Sequence, residues 1–398
     1  MTMKYILFDD SRREHLLPLT YTRPVSMIRV GILTIKEKWD IALATSCYHL
    51  TTEYLQKKFP QPAEDGSCLL INGGVFPTDE LTKAIHSLSP NQALISSGTL
   101  LAIKLESNPD ADFSFKIETH PDLVTFGGQV VEIFHPWDIF SLNGIAIELD
   151  FKMLTKGKKS QLISPTNKVL NPENIFIEEG ASVECATLNA NTGPIYIGKD
   201  AEVMEGSLIR GPFALCDHST LKLGAKIYGP TTIGPHCKVG GEVNNSVIFG
   251  YTNKAHDGFL GNSVIGEWCN LGADTNNSNL KNNYAEVKLW CYAKKSFVNT
   301  GLQFCGLVMG DHSKCGINTM FNTGTVVGVS ANIFGDGFPR NFIPSFSWGG
   351  AQGFSIYKID KALETAQKVM ERRNIELDNT EKEILTKIFE LSEGYRKH

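Results

Sequence analysis

The sequence predicts two fold classes in one chain of 398 residues: an α/β domain over residues 1–151 and a parallel β-helix over residues 169–350. Residues 152–168 are polar and basic and are expected to form a linker, and residues 351–398 are expected to be helical. Three observations predict this organisation. Aliphatic residues recur every six positions in the second half, glycine is concentrated there, and the apolar pattern becomes helical near the C-terminus.

The six-residue period is the strongest of these observations. One run holds eight aliphatic residues at this spacing: Ile197, Val203, Ile209, Leu215, Leu221, Ile227, Ile233 and Val239. A second run holds Met309, Cys315, Phe321, Val327 and Ile333, and a fragment holds Ile265 and Leu271. Neither the 3.6-residue period of a helix nor the two-residue period of a strand gives this pattern.

A six-residue repeat of this kind is typical of a parallel β-helix, in which three hexads close one triangular coil. Each aliphatic side chain points into the prism, and stacked coils pair as parallel strands. Of the 36 glycines, 25 lie in residues 170–350. Glycine suits the corners of such a coil, where a positive φ or a close backbone approach is required. The period breaks between Val239 and Ile265, in a segment rich in polar residues.

The first 151 residues predict an α/β domain. Residues 5–8 and 68–71 are short apolar runs bounded by polar or glycine-rich breaks, which predicts buried strands. Residues 25–39 and 78–88 are expected to be helices, the second with Thr78 as its N-cap.

The C-terminal residues carry two apolar stripes at helical spacing. The first stripe holds Ile359, Leu363, Val369 and Met370, and the second holds Ile384, Leu385, Ile388 and Leu391. Thr380 and Glu383 have the spacing of a capping box. We expect two helices that close the last coil of the β-helix.

Composition excludes several classes of protein. The formal net charge of −5 argues against a nucleic-acid partner, since phosphate neutralisation requires a surplus of Lys and Arg. No apolar segment approaches 18 residues, and the run at residues 5–8 is too short for a signal peptide, so no membrane partner is expected. The nine cysteines form no CxxC pair. We expect them to be buried, reduced residues of a cytoplasmic protein.

The segment from Gly240 to Lys281 interrupts the repeat and resembles a known active site. It is similar to the acetyltransferase half of the bifunctional N-acetylglucosamine-1-phosphate uridylyltransferase/glucosamine-1-phosphate acetyltransferase family. The chain is especially similar to divergent sugar nucleotidyltransferase (glucose-1-phosphate thymidylyltransferase) relatives that carry a C-terminal β-helix. The resemblance implies a left-handed β-helix, a homotrimer with sites between subunits, and acetyl-CoA as co-substrate.

The resemblance implies catalytic roles for two residues. His256 corresponds to the catalytic histidine of the family, and Glu242 to the carboxylate that orients it. An imidazole suits the role of base, because a sugar ammonium must lose a proton before it can attack a thioester. The backbone N–H near Ala273 corresponds to the oxyanion donor.

The resemblance also implies substrate contacts. Asn270 and Asn279 correspond to asparagines that hold the sugar and acetyl groups, and Lys226 to a phosphate-binding arginine. Lys254 and Lys281 are expected to supply further positive charge. The chain departs from the family at three positions, where Phe259 and Leu280 replace tyrosines and Asn244 replaces a lysine.

In the N-terminal domain, the motif Leu17-Pro18-Leu19-Thr20 with Arg23-Pro24 resembles part of the sugar nucleotidyltransferase signature. The resemblance implies transfer of a nucleotide from UTP or dTTP to a sugar 1-phosphate, with Mg²⁺. The family's glycine-rich loop is replaced here by residues 9–14, and its phosphate-binding lysine by Val25. Arg12, Arg13, Arg23 and Arg29 are expected to supply the positive charge.

The metal and nucleotide residues of this domain follow from the same resemblance. The family's first Mg²⁺-binding aspartate would fall near Asn72, which we assign to nucleotide binding. Asp138 is the expected metal carboxylate.

Three alternatives stay open at this stage. The protein could be a nucleotidyltransferase only, with a trimeric β-helix as scaffold, or a non-catalytic scaffold that binds a sugar or nucleotide. The third alternative is a zinc site. His218 and His236 are 18 residues apart, so they are expected to stack in successive coils, and His256 could complete the three protein ligands of a catalytic zinc.

Overall fold

The computed structural model describes residues 3–110, 113 and 115–396. The chain divides into two compact units. The first contains the residues up to 16, residues 20–28 and residues 33–135, and the second contains residues 17–19, 29–32 and 136 onward.

The first unit is an α/β domain built on one six-stranded sheet with strand order β2-β1-β3-β5-β4-β6. Its strands are β1 (Lys4–Phe8), β2 (Tyr48–Leu50), β3 (Cys68–Asn72), β4 (Ala93–Ser96), β5 (Thr99–Leu105) and β6 (Leu123–Thr125). Strand β1 pairs in parallel with β2 and β3, whereas β5 runs antiparallel to β3 and β4. The two strands predicted at residues 5–8 and 68–71 are therefore confirmed.

The helices of this unit are α1 (Arg12–His15), α2 (Ile35–Leu43), α3 (Glu53–Gln56) and α4 (Asp79–His86). The helix predicted at residues 78–88 is confirmed, and the Thr78 side chain accepts the expected capping hydrogen bond from Leu81 N. A continuous helix over residues 25–39 is wrong. A 3-10 turn occupies Val25–Met27, and α2 begins only after Thr34, which forms a capping box with Glu37. Gly31, at φ +81°, separates the two pieces.

The second unit contains the β-helix that the six-residue period predicts, and the coil is left-handed. Its strands are β7 (Lys168–Leu170), β8 (Ile175–Ile177), β9 (Ser182–Val183), β10 (Thr187–Asn189), β11 (Ile195–Ile197), β12 (Glu202–Val203), β13 (Leu208–Arg210), β14 (Phe213–Leu215), β15 (Thr220–Leu221), β16 (Lys226–Tyr228), β17 (Thr231–Ile233), β18 (Lys238–Val239), β19 (Glu242–Asn244), β20 (Val247–Ile248), β21 (Asn253–Lys254), β22 (Phe259–Gly261), β23 (Val264–Ile265), β24 (Asn270–Leu271), β25 (Asn276–Asn277), β26 (Lys288–Cys291), β27 (Ser296–Asn299), β28 (Leu307–Met309), β29 (Lys314–Cys315), β30 (Met320–Phe321), β31 (Thr325–Val327), β32 (Asn332–Ile333), β33 (Phe342–Ile343), β34 (Ser347–Gly350) and β35 (Gly353–Ile356).

These strands form three faces. Face 1 has the order β22-β19-β16-β13-β10-β7, face 2 has β33-β31-β28-β23-β20-β17-β14-β11-β8, and face 3 has β35-β34-β32-β29-β24-β21-β18-β15-β12-β9. Strands β25 and β30 form a separate parallel pair, and β26 with β27 forms a hairpin in the insertion between β25 and β28. The aliphatic residues of the six-residue runs are all buried in the core of this coil.

The six-residue period is interrupted between Val239 and Ile265 because the coil there contains fewer residues. Inward residues continue through it, but Val243 follows Val239 by four positions, and Ile248 follows Val243 by five. Six residues again separate Ile248 from Lys254, which is the next residue on the inner side of face 3.

Two helices before the β-helix belong to the second unit: α5 (Pro136–Ser141) and α6 (Asn143–Thr155). Asn143 Oδ1 accepts hydrogen bonds from Gly31 N at 2.8 Å and Thr232 Oγ1 at 3.0 Å. Asp150 Oδ2 accepts from Ile32 N at 2.8 Å. The division of the chain at residues 135 and 136 thus differs from the boundary expected at 151, because α6 is bonded to β-helix residues. The expected linker 152–168 begins inside α6 and ends on the first residue of β7.

The tail forms the two expected helices, α7 (Ile359–Glu371) and α8 (Asn379–Leu391). The capping residue of α8 is Asp378, whose side chain accepts from Glu381 N, so the capping box expected at Thr380 and Glu383 is wrong. Eight of the nine cysteines are buried, and Cys185 is exposed. Among the described residues, no helix has the length and apolar character needed to span a membrane.

Candidate functional site

Glu242, His256 and Ala273 lie in three successive coils at one corner of the β-helix. This corner joins face 3 to face 1, and we call it the 3–1 corner. Glu242 begins β19 directly after the corner, His256 lies between β21 and β22, and Ala273 lies between β24 and β25. Asp274 N donates a hydrogen bond to Asp257 O at 3.0 Å, which fixes the second corner segment against the third. Stacked strands are about 4.8 Å apart, so the three residues share one short stretch of surface.

A glycine brings the first of these coils against the second. Gly241 has φ +72°, and a Cβ placed there would lie 2.9 Å from Asp257 Cα and 3.0 Å from His256 O. No side chain fits at these distances. The close approach therefore requires glycine, and it places Glu242 beside the segment that carries His256.

Glu242 is half-buried and points outward from face 1. It stands in register with Lys226 on one side and Phe259 on the other. His256 is exposed. Within the described residues, no hydrogen bond or ion pair joins Glu242 to His256, and the Ala273 N–H has no hydrogen-bond acceptor. The corner thus carries an exposed imidazole, a half-buried carboxylate and a backbone donor without an acceptor among the described residues.

Lys254 is placed differently from the expectation. It occupies an inward position of face 3 and is almost fully buried. Its Nζ donates to Gly240 O at 3.0 Å and to His256 O at 2.7 Å. Burial lowers the pKa of Lys254 to about 8, despite the opposing charges of Asp257 and Asp274. Lys254 therefore supports the backbone of the corner, and its ammonium does not face solvent.

Of the remaining residues expected in the acyl site, Lys226 lies next to Glu242 and the others lie elsewhere on the β-helix. Lys226 is exposed on face 1, in register with Glu242. Asn279 donates to Asn262 Oδ1 at 2.8 Å, and Lys281 Nζ donates to Glu286 O at 2.8 Å, both in the segment that follows β25.

Asn270 lies on face 3, where its Oδ1 accepts from Asn253 Nδ2 at 3.0 Å. It lines a cleft beside helix α7 instead of the 3–1 corner. Nothing in the hexapeptide pattern distinguishes these positions from ordinary outward residues.

In the first unit, Arg12 and Asn72 are part of one buried polar network. Arg12 Nη1 donates to Asn72 Oδ1 at 2.9 Å, and Arg12 Nη2 pairs with Glu132 Oε2 at 2.6 Å. Asn72 Nδ2 donates to Asp10 Oδ2 at 2.8 Å and to Leu100 O at 3.0 Å. A Cβ at Gly74 would lie 2.9 Å from the Arg12 side chain, so this glycine makes room for the guanidinium.

Arg13 and Arg23 are buried as well. Arg13 donates to Arg23 O at 3.1 Å and to Tyr54 Oη at 2.7 Å, and it lies 3.6 Å from Asp9 Oδ2. Burial raises the pKa of Asp9, although the charge of Arg13 opposes this. The segment that replaces the glycine-rich loop is thus held by internal bonds. Arg29 belongs to the second unit, where it donates to Ile32 O.

The structure of the first unit contains a cavity that sequence reasoning missed. It has a volume of about 530 Å³ and includes Lys36, Tyr48, His49, Lys58 and Phe59 in its lining. None of Arg12, Arg13, Arg23 and Asn72 lines it. Burial lowers the pKa of His49 to about 4, so this imidazole is neutral at physiological pH.

The described residues form no preformed cluster for the expected metals. Asp138 is half-buried in the first turn of α5. Across residues 3–110, 113 and 115–396, no group of three or more His, Cys, Asp or Glu side chains is placed to hold a metal ion. The expected stacking of His218 on His236 is confirmed, with ring centroids 4.8 Å apart. His236 stacks in turn on Tyr251, at the corner between faces 2 and 3, whereas His256 lies at the 3–1 corner.

One protein family matches part of the chain. Residues 5–159 match the family model described as "Sugar nucleotidyl transferase". The N-terminal region resembles a sugar nucleotidyl transferase. The nucleotidyl transferase-like region includes the first unit and helices α5 and α6, and it ends before β7. No curated protein matches the chain significantly.

Solved structures similar to the chain include three acyltransferases. One is a point mutant of AntD, an N-acyltransferase from Bacillus cereus, in complex with dTDP and coenzyme A (12% identity, 52% of this chain and 91% of that chain, TM-score 0.22). The others are UDP-N-acetylglucosamine acyltransferases from Campylobacter jejuni (16%, 57% and 96%, TM-score 0.22) and Arabidopsis (15%, 59% and 82%, TM-score 0.20). With TM-scores this low, the β-helix assignment depends on the strand pairing of the chain itself.

Proposed function

We propose that the protein is a transferase of nucleotide-sugar metabolism whose β-helix moves an acetyl group from acetyl-CoA to an amino-sugar 1-phosphate. The observation that carries this proposal is the placement of Glu242, His256 and Ala273 in three successive coils of the 3–1 corner. A base, a carboxylate and a free backbone donor are the groups that acyl transfer to an amine requires.

The proposed reaction uses these groups in order. His256 takes a proton from the sugar ammonium, and the free amine attacks the thioester carbonyl carbon. The Ala273 N–H donates to the oxyanion of the tetrahedral intermediate. The C–S bond then breaks, the imidazolium returns its proton to the leaving thiolate, and the new amide nitrogen releases its excess proton to solvent. The charge of Glu242 stabilises the imidazolium while it exists.

We propose that the 3–1 corner faces a neighbouring subunit of a homotrimer. Apolar side chains near this corner are unusually exposed: Leu208 at 52%, Leu223 at 68% and Ile317 at 69%. Large exposed apolar side chains clustered on one surface favour an interface. A sedimentation experiment that finds only monomers at micromolar concentration would remove this part of the proposal.

The acyl-transfer proposal is tested by following thiol release from acetyl-CoA with a panel of amino-sugar 1-phosphates. Wild-type protein is expected to turn over at least one acceptor, and Glu242→Gln to slow that reaction. Lys199→Gln, an exposed change on the loop after β11, is the control. No thiol release with any acceptor would refute the proposal and favour a binding scaffold.

A second activity, nucleotidyl transfer to a sugar 1-phosphate, is favoured by the family match over residues 5–159. We include no step through Mg²⁺, because the described residues form no metal cluster. The test is pyrophosphate release from UTP or dTTP with a panel of sugar 1-phosphates. Release without acetyl transfer would favour a nucleotidyltransferase with a β-helix scaffold.

A further inference from the structure

A cleft of about 380 Å³ lies between face 3 and the C-terminal end of helix α7. Its floor comes from successive strands of face 3, and helix α7 with the two residues after it supplies one wall. The lining consists of Lys238, Tyr251, Asn253, Trp268, Cys269, Asn270, Lys314, Val369, Arg372 and Arg373.

The lining carries four positive charges and no carboxylate. Within the described residues, Lys238, Arg372 and Arg373 form no ion pair. Lys314 Nζ donates to His312 O at 2.8 Å. Burial and the charges of Arg373, Lys222 and Arg372 lower the pKa of Lys238. The charge of Glu202 only partly offsets the repulsion among these cations at Lys238, and the remaining repulsion raises the energy of the empty cleft.

Helix geometry explains only part of this arrangement. Arg372 and Arg373 follow the last turn of α7, where cations offset the partial negative charge of the helix C-terminus. Lys238 and Lys314 come from two different strands of face 3, and no helix end accounts for them. The amide side chains of Asn253 and Asn270 lie between these lysines in the strand order. They add neutral hydrogen-bonding groups to the same floor.

We propose that this cleft binds the diphosphate group of a small phosphorylated ligand. Four cations suit the several negative charges that a diphosphate carries near neutral pH, and the volume exceeds what a single phosphate needs. Lysine and arginine are the side chains that recognise phosphate oxygens. The proposal does not depend on acyl transfer at the 3–1 corner, because none of Glu242, His256 and Ala273 lines the cleft.

The diphosphate could be free or part of a nucleoside diphosphate. The two sources are distinguished by titrating the full-length protein with inorganic pyrophosphate and with ADP in a calorimeter at low salt. Equal affinity for both assigns recognition to the diphosphate alone. Tighter binding of ADP assigns part of it to the nucleoside.

Three variants test the site. Lys238→Gln removes an exposed charge from the floor, and the double variant Arg372→Gln/Arg373→Gln removes two from the wall. Each is expected to weaken binding about tenfold or more, the effect of losing a charge-assisted hydrogen bond. Lys368→Gln, on the same helix but outside the cleft, is the control and is expected to bind like wild type.

Two results overturn the proposal. One is the absence of binding by pyrophosphate and ADP at millimolar concentration. The other is binding that Lys238→Gln leaves unchanged in a protein with wild-type thermal stability. Lys238 is on a strand and the arginines follow a helix. If the double variant misfolds, the measurement on Lys238→Gln therefore still tests the site. Acetyl transfer is measured in parallel, and its presence or absence does not affect either result.

Discussion

Lys254 stands in register with Val239 on the inner side of face 3, so an ammonium group occupies a position that is aliphatic in the preceding coil. Its Nζ bonds to the carbonyl oxygens of Gly240 and His256. These two carbonyls belong to the corner segments that precede Glu242 and carry His256. A buried cation therefore links the two coils of the candidate acyl site.

This buried ammonium predicts a pH-dependent stability. The folded state lowers the pKa of Lys254 to about 8, below its ordinary value, so the unfolded chain binds the proton more tightly. Below pH 8 the lysine is protonated in both states and its desolvation penalty is complete. As the pH rises from about 8 to 10.5, the penalty disappears and stability increases.

The measurement compares urea unfolding of wild type and Lys254→Met across this pH range. Wild type is expected to gain about 2–3 kcal/mol relative to the variant. Lys226→Met, an exposed change on face 1, is the control and should follow wild type. A stability difference between wild type and Lys254→Met that is flat from pH 7 to 10.5 would contradict the burial of a titrating Lys254.

Gly241→Ala is expected to damage the 3–1 corner. The new methyl group would meet the backbone of Asp257 and His256 at a φ of +72°. The matched control is Gly224→Ala, at the same corner one coil earlier, where φ is +69° and nothing lies within 4 Å of the added Cβ. Both variants bear the conformational cost, of about 1–2 kcal/mol, and only Gly241→Ala bears the clash.

Thermal unfolding and acetyl transfer measured on both glycine variants separate these costs. Gly241→Ala should unfold at a lower temperature than Gly224→Ala and lose more of its activity. Equal stability and activity in the two variants would show that the close approach at Gly241 is unimportant.

Arg12→Met is expected to destabilise the first unit. It would remove the guanidinium from Glu132 Oε2 and leave Asn72 Oδ1 with the bond from Gly74 N alone. Because the Glu132 side chain is 37% exposed, the expected loss is about 2 kcal/mol, the value typical of hydrogen bonds to a charged group. Chemical denaturation should detect this loss, whereas Lys83→Met, an exposed change on α4, should leave stability unchanged. An Arg12→Met protein of wild-type stability would contradict a stabilising role for this network.

Much of the fold could be predicted from the sequence, because the six-residue period directly reports inward positions. Ile209, Leu215 and Leu221 are buried in the core as the pattern requires. The inward position of Lys254 could not be predicted in this way, because the pattern identifies inward positions by their aliphatic residues and lysine is polar. The prediction of one continuous helix at residues 25–39 was wrong. It was based on apolar spacing and took no account of Gly31.

The candidate site was predictable in part. The resemblance indicated Glu242, His256 and Ala273, and the coil brings these three to one corner. The resemblance could not indicate that Asn270 lines a different surface. A strand residue can be predicted to point outward, but the sequence does not show which helix packs over that residue. In the first unit, the buried partners of Arg12 and Arg13 come from strands and loops distant in sequence, and spacing carries no information about them.

Acetyl transfer by His256→Ala is the direct test of His256 as the base of the acyl site. Single-turnover rates are measured with acetyl-CoA and an accepted amino-sugar 1-phosphate, beside His218→Ala, which changes an exposed histidine at another corner of the same β-helix. Loss of the base should slow His256→Ala by about 100-fold or more, while His218→Ala keeps the wild-type rate. A folded His256→Ala protein that transfers acetyl at the wild-type rate would contradict acid–base catalysis by His256.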